Sequence, residues 1–123
     1  MTELQESGQM YLETILVLST IKEHVRSIDV AKYMHFSKPS VSRAVNNLRS
    51  DGYLDIDNNG YITLTEKGHA IADNIYERHQ VLTDLLISIG VSRETAEEDA
   101  CRVEHYISEE TFAAIKKAQH NQK

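Results

Sequence analysis

The sequence predicts a mainly α-helical chain with one small β-hairpin, and three observations carry that expectation. Apolar residues recur every three or four positions along most of the length, the period of a helix that buries one face. Only in the segment YLDIDNNGYITLT, residues 53–65, does the period fall to two, on either side of an Asn59-Gly60 pair suited to a tight hairpin turn. The hairpin directly follows two short helices joined by a tight link, so the first part reads as a winged helix-turn-helix, with further helices after it.

In chain order, Met10, Leu12, Ile15, Leu16, Leu18 and Ile21 predict an amphipathic first helix from Gln9 to about His24. Ser27 or Asp29 can cap a short second helix carrying Val30, Ala31 and Met34, which stops near His35 and Phe36. Ser37 offers the next N-cap and Pro39 fits only a first turn, after which Val41, Ala44, Val45 and Leu48 follow at helical spacing. The hairpin alternates Leu54 and Ile56 with Asp55 and Asp57, then Ile62 and Leu64 with Thr63 and Thr65. A long helix over 65–89 carries Ile71, Ile75, Leu82, Leu86 and Ile89, and Gly90 ends it. Ser92 starts a fifth helix reaching about Ile107, Ser108 caps a sixth with Phe112 and Ile115, and the tail beyond Ala118 is expected to fray. These elements divide into residues 1–68, the winged helix-turn-helix, and 69–123, a helical domain.

At 123 residues and 41% hydrophobic, the chain can bury a real core. No run approaches the roughly 18 apolar residues of a membrane span, and the opening MTELQESGQM has no signal-peptide pattern, so a cytoplasmic protein without membrane association is expected. A single cysteine excludes an internal disulfide. The net charge of -6 argues against a nucleic-acid partner, but it is unevenly spread: residues 1–68 hold seven basic and nine acidic side chains, residues 69–123 six and ten. Two bound divalent cations would bring the formal charge to about -2.

If Val41, Ala44, Val45 and Leu48 face the core, the opposite face of the third helix shows Ser40, Ser42, Arg43, Asn46 and Asn47. Arginine pairs with guanine and asparagine with adenine in a major groove, while Ser37, Lys38, Pro39 and the helix N-terminus are placed to hold a backbone phosphate. The plainer reading is a solvated face, but its place on the second helix of the motif, ahead of a hairpin, favours double-stranded DNA. In the wing Asp55 and Asp57 would repel phosphate, leaving Asn58, Asn59 and Tyr61 as the evident contacts; His24 and His35 receive no role.

Cys101, Glu104 and His105, three and four residues apart, place a thiol, a carboxylate and an imidazole on one helix face, and Met10 with Glu13 repeats the three-residue spacing. His79 lies near the apolar stripe of the long helix. Singly, Met10 reads as core filler, Cys101 as a small buried hydrophobe, His79 as a core histidine and the two glutamates as surface charge. Together they form two donor clusters that a helical bundle could bring around His79.

The stretches MYLETI, SKPSVSRAV, ERHQVLTDLLISIGV and above all DACRVEHYIS resemble the diphtheria-toxin repressor family, including its manganese-transport repressors, over nearly the whole chain. The resemblance implies a homodimeric, metal-activated winged-helix repressor of metal uptake, with a metal-binding and dimerisation domain after the DNA-binding one and without a third SH3-like domain. It also implies that Met10, Cys101, Glu104 and His105 match ligands of the iron-responsive branch, whereas Glu13 and His79 match ligands of the manganese branch. His79 further matches an ancillary-site ligand of the iron branch, but Thr83 stands where that site has a carboxylate, so one or two metals per chain are expected. The soft donors Met10 and Cys101 favour Fe(II) over Mn(II). Ala96, Ala100, Val103 and Ile107 form an apolar stripe on the fifth helix expected, together with the last helix, to bury against the partner subunit.

Two competing readings have less support. A metal-free winged-helix regulator could sense oxidants through Cys101, but Glu97, Glu98, Asp99 and Glu104 crowd that thiol instead of cations. An enzyme using Cys101, His79 or His105 lacks a Gly-rich substrate loop or a HEXXH-type zinc motif, so neither catalysis nor a small-molecule substrate is expected.

Overall fold

The computed structural model describes residues 4–121. Its elements are α1 (Glu6–Ile21), α2 (Ser27–Met34), α3 (Lys38–Ser50), β1 (Leu54–Ile56), β2 (Ile62–Leu64), α4 (Glu66–Ser88), α5 (Arg93–Val103) and α6 (Glu109–Asn121). The mainly helical class with one hairpin is as the periodicity predicts. Backbone packing separates two compact units, one through Asp73 and one from Asn74, so the division falls inside α4. No helix among the described residues is long and apolar enough to cross a membrane.

In the first unit α1 packs on α2, α3 and β2, and α3 packs on β1. Leu12, Ile15, Val30, Val41 and Leu54 have no exposed surface, and Val45 has almost none. The helical ones are positions the three-to-four spacing selects, and Leu54 is one the alternation of the hairpin selects. Asp29 fixes the start of α2 from its first turn: its carboxylate accepts from Arg26 N at 2.9 Å and from Lys22 Nζ at 2.7 Å. The Lys22 bond holds the Asp29 carboxyl below the usual carboxylate range. His35 closes α2 in the left-handed region, φ 59 and ψ 39, while Phe36 N–H bonds back to Ala31 O. That short reversal brings α3 across α2.

The hairpin pairs Leu54 with Leu64, Asp55 with Thr63 and Ile56 with Ile62. A two-residue turn needs positive φ at both Asn59 and Gly60, but only Gly60 has it, at φ 80. The chain instead turns over three residues: Gly60 N–H bonds Asp57 O at 3.0 Å, and Asp57 Oδ1 accepts from both Asn59 N and Tyr61 N at 2.9 Å. The aspartate expected to repel phosphate thus holds the turn. β2 is also tied to the link before α2, since Ile62 N–H donates to Val25 O at 2.7 Å.

The base of the hairpin is joined closely to the start of α4. Thr65 N–H bonds Tyr53 O, Thr65 Oγ1 donates to Gly52 O at 2.7 Å, and Lys67 Nζ reaches Asp51 O and lies over the Tyr53 ring. Gly68 fits because it lacks a Cβ, which would stand 1.9 Å from Tyr53 O. In the second unit Ile75, Leu82, Ala96, Ala100 and Phe112 are buried. Ile89, expected on the stripe of the long helix, lies beyond its end and is exposed. The tail expected to fray after Ala118 continues as α6 to Asn121.

Gly68→Ala must push α4 from the hairpin base or open the Tyr53 bonds. The expected loss is about 1 to 3 kcal/mol of unfolding free energy, read by urea denaturation; an unchanged midpoint would mean the approach is not this close.

Candidate functional site

Four of the six predicted metal donors belong to the second unit: His79 on α4, Cys101 on α5, and Glu104 and His105 directly after α5. The fifth helix starts where its sequence signal places it, with Ser92 Oγ accepting from Thr95 N. It stops at Val103 instead of running to about Ile107. The amides of Tyr106 and Ile107 both turn onto Val103 O, a tightening common at helix ends. Glu104 still has helical dihedrals, φ -58 and ψ -27, and its N–H still bonds Ala100 O, so the three-residue spacing from Cys101 holds as geometry.

Glu104 has no exposed surface. Its Oε2 lies 2.9 Å from His79 Nδ1 and its Oε1 lies 3.4 Å from His105 Nε2, with the His105 side chain almost fully buried. A carboxylate only accepts, so in the neutral ring the 2.9 Å contact puts the His79 proton on Nδ1 and makes Nε2 the lone-pair atom. Cys101 is exposed, and it, His79 and Glu104 each offer a ligand atom within 4.8 Å of the others. Glu104 Oε1 makes no hydrogen bond among the described residues.

A charge removed from water needs compensation, and here two imidazoles and a thiol surround a carboxylate with one unbonded oxygen. Nitrogen, oxygen and sulfur donors on this scale suit a divalent transition metal, so the residues present fit such an ion. Met10 and Glu13 lie one turn apart on α1 in the first unit, both half-buried. Thr83, at the position the ancillary site would need a carboxylate, is buried and its Oγ1 makes no hydrogen bond among the described residues. Arg78, which the sequence reading did not single out, is buried beside His79 and donates to the main-chain oxygen of Glu104.

The apolar stripe on α5 is partly consumed inside the chain. Ala96 and Ala100 have no exposed surface without any partner, so they cannot be the face offered to one; Val103 stays exposed and Ile107 half-exposed. Small residues at helical spacing fit an internal close approach as well as an interface, and the sequence does not tell the two apart.

On α3 the inward and outward faces separate as expected. Val41, Val45 and Leu48 are buried, Ala44 partly, while Ser42, Arg43, Asn46 and Asn47 are exposed together with Ser37, Lys38, Pro39 and Ser40. Ser37 Oγ accepts from Ser40 N and donates to Ser40 Oγ at 2.8 Å, with Pro39 in the first turn. Asn46 Nδ2 donates to Ser42 O at 2.9 Å, which steadies one amide on that face. His24 stacks on Tyr61 with ring centroids 4.1 Å apart, and the Arg26 guanidinium lies over the same ring, so Tyr61 braces the wing against the α1–α2 link.

Two family profiles match the chain: "Iron dependent repressor, N-terminal DNA binding domain" over residues 3–61 and "Iron dependent repressor, metal binding and dimerisation domain" over residues 65–121. The chain is 33% identical over 122 residues to the iron-dependent repressor IdeR of Mycobacterium tuberculosis, covering 98% of this chain and 53% of that protein. It is 33% identical over 106 residues to the transcriptional regulator MntR of Escherichia coli O157:H7, covering 86% and 68% respectively. It therefore spans about half the length of the IdeR relatives. Among solved structures, the metal-dependent transcriptional regulator MtsR superposes with a TM-score of 0.85 at 25% identity, over 92% of this chain and 53% of that one. A manganese-dependent transcriptional repressor in complex with manganese superposes with a TM-score of 0.83 at 25% identity, over 90% and 51%.

Replacing Glu104 by Gln keeps an acceptor for His79 and removes the buried charge. Glu104→Gln is expected to raise the melting temperature in chelator by a few degrees and to abolish the further rise on adding Mn(II) or Co(II). Differential scanning calorimetry decides it, and a metal-induced rise kept at full size would refute the role given to this carboxylate.

Proposed function

This chain belongs to the iron-dependent repressor family, and on that premise we propose that it is a metal-activated, DNA-binding transcriptional regulator, a repressor of metal-uptake genes that responds to Fe(II) or Mn(II). The observation that carries the proposal is the fully buried Glu104 carboxylate between His79 and His105 with the Cys101 thiol beside it. His79, Cys101, Glu104 and His105 would hold the cation, and by the resemblance Met10 and Glu13 are the further donors, with one or two metals per chain. When bound, the ion supplies the positive charge that a desolvated carboxylate requires. Glu104 and His105 anchor the donor set because both are fixed by the end of α5, and His79 is aligned by its Nδ1 bond. The sulfur donors Met10 and Cys101 favour Fe(II) over Mn(II).

DNA reading falls to residues 1–68, and metal binding and dimerisation to residues 69–123. Arg43, Asn46 and Asn47 would face base edges, and Ser37, Lys38, Ser40 and Ser42 the phosphates at the N-terminal end of α3. Ordered by its Ser37 cap, α3 presents these groups without losing backbone bonds to them. Two copies in a homodimer would place two such helices in successive major grooves, about 34 Å apart on the operator. Val103 and Ile107, with the neighbouring exposed Tyr106, are the part of the α5 end left to meet the partner. The site of action is the cytoplasm.

An anaerobic gel shift with the upstream region of the protein's own gene, run with Fe(II), Mn(II) or chelator, tests the proposal. Retardation should require metal, and retardation unaffected by chelator would sink it. His105→Ala should abolish the metal response in a folded dimer. Arg43→Ala should weaken operator binding by about 1 to 3 kcal/mol at unchanged metal affinity; the reverse pattern would mean that α3 is not the reading helix. Changing Met10 to Asp together with Cys101 to Glu should shift activation from Fe(II) toward Mn(II), measured as the metal concentration for half-maximal retardation. An unaltered order of metals would remove both sulfur atoms from the ligand set.

A further inference from the structure

Arg78 is a long cation buried at 7% exposure beside the donor His79, and its contacts converge on the turn that carries the donors Glu104 and His105. Its Nη1 donates to Ile107 O at 2.8 Å and to Glu104 O at 3.2 Å, and its Nη2 pairs with Glu109 Oε1 at the first turn of α6. The guanidinium also lies 5.3 Å from the centroid of the Phe112 ring on α6. Helix α5 ends in carbonyls with no helical partner, and the short link to α6 adds another. One planar fork fills two of these main-chain acceptors and a carboxylate at once, a pattern that a lysine ammonium cannot reproduce with the same geometry.

We infer that Arg78 is a positioning residue for the metal centre: it fixes the Glu104–Ile107 turn, and with it the Glu104 carboxylate and the His105 imidazole, before any metal arrives, and Glu109 of α6 sets its aim. This rests on the metal-centre reading above. Glu104 is held on both sides, its side chain by His79 and its main chain by the neighbour of His79, so two adjacent residues of α4 set both the position and the orientation of one donor. Groups that orient metal ligands from behind weaken metal binding by about 10- to 100-fold when removed. Glu109 belongs to the same device because it neutralises the cation that holds the turn, although it lies far out in solvent itself.

The control is a second ion pair between the same two helices, Lys116 Nζ to Glu77 Oε2 at 2.8 Å, half-exposed; Lys116 shares the Phe112 ring with Arg78, at 6.0 Å, so the pair tests the α4–α6 packing without the bonds to the main chain of the turn. Co(II) affinity and the Co(II) absorption spectrum are to be measured in the full chain for Arg78→Lys, Arg78→Met, Glu109→Gln, Lys116→Ala and His105→Ala. Amide hydrogen exchange at Glu104–Ile107 is followed in chelator. Arg78→Met should weaken Co(II) binding by about tenfold or more and speed exchange in the turn without metal; Arg78→Lys should recover part of the affinity, and Glu109→Gln should fall between it and the parent. Lys116→Ala should match the parent. If Arg78→Met does not fold, Arg78→Lys and Glu109→Gln carry the test, and parent affinity and exchange in both overturn the inference. Equal losses in Lys116→Ala and Glu109→Gln also overturn it, since they would show general loosening of α4 against α6. Binding unchanged in His105→Ala defeats the metal-centre reading itself, whereas loss there with parent-like Arg78 variants defeats only the role of Arg78.

Discussion

A carboxylate with no contact to water cannot stay charged without opposite charge or hydrogen-bond donors around it, and the second unit is arranged around that demand at Glu104. His79 meets one oxygen and His105 approaches the other, while the main chain of the same residue is held by Ala100 below and Arg78 beside it. Alanines at 96 and 100 let α5 bury down to its backbone, so the residue at its end sits deep instead of on the surface. Charge, hydrogen bonding and side-chain size therefore all act on one position. A site of this kind is poorly stable as a protein interior and well suited to a cation.

The first unit solves a different problem, keeping one face of a short helix dry and the other wet. Val41, Val45 and Leu48 anchor α3 to the core, and the Ser37 cap supplies an acceptor at its N-terminus, so the polar side chains outside are not needed for folding. That division leaves Lys38, Arg43 and the helix N-terminus on the wet face of a chain of net charge -6, where their local charge outweighs the net charge at short range.

The second and third helices were legible because apolar spacing, Asp29, the Ser37 cap and Pro39 agree on their boundaries, and the hairpin because its period changes abruptly; α1, with no side-chain cap, lies three residues earlier than the Gln9 to His24 span its spacing suggested. The proximity of Glu104 and His105 at the end of α5, with Cys101 one turn before, was legible from spacing, although the helix expected to carry all three ends at Val103. Where two structures share one pattern, sequence did not discriminate. The Ala96 and Ala100 stripe fits an internal approach as well as a subunit face, and Asn59-Gly60 fits either a two-residue turn or the three-residue turn that the Asp57 carboxylate secures. Arg78 was invisible for a deeper reason: its partners are mainly main-chain oxygens far along the chain, and main-chain acceptors leave no trace in residue identity.

Between the end of α3 and the first turn of α4 the backbone has almost no slack. Asp51, Gly52 and Tyr53 each give a carbonyl to residues 65–67, and Gly68 lies against the last of them with no room for even a methyl group. Such a stretch behaves as a rigid crank, not a hinge. The first turn of α4 cannot shift against the hairpin base or the end of α3 without breaking these bonds, so within the first unit the three move as one piece.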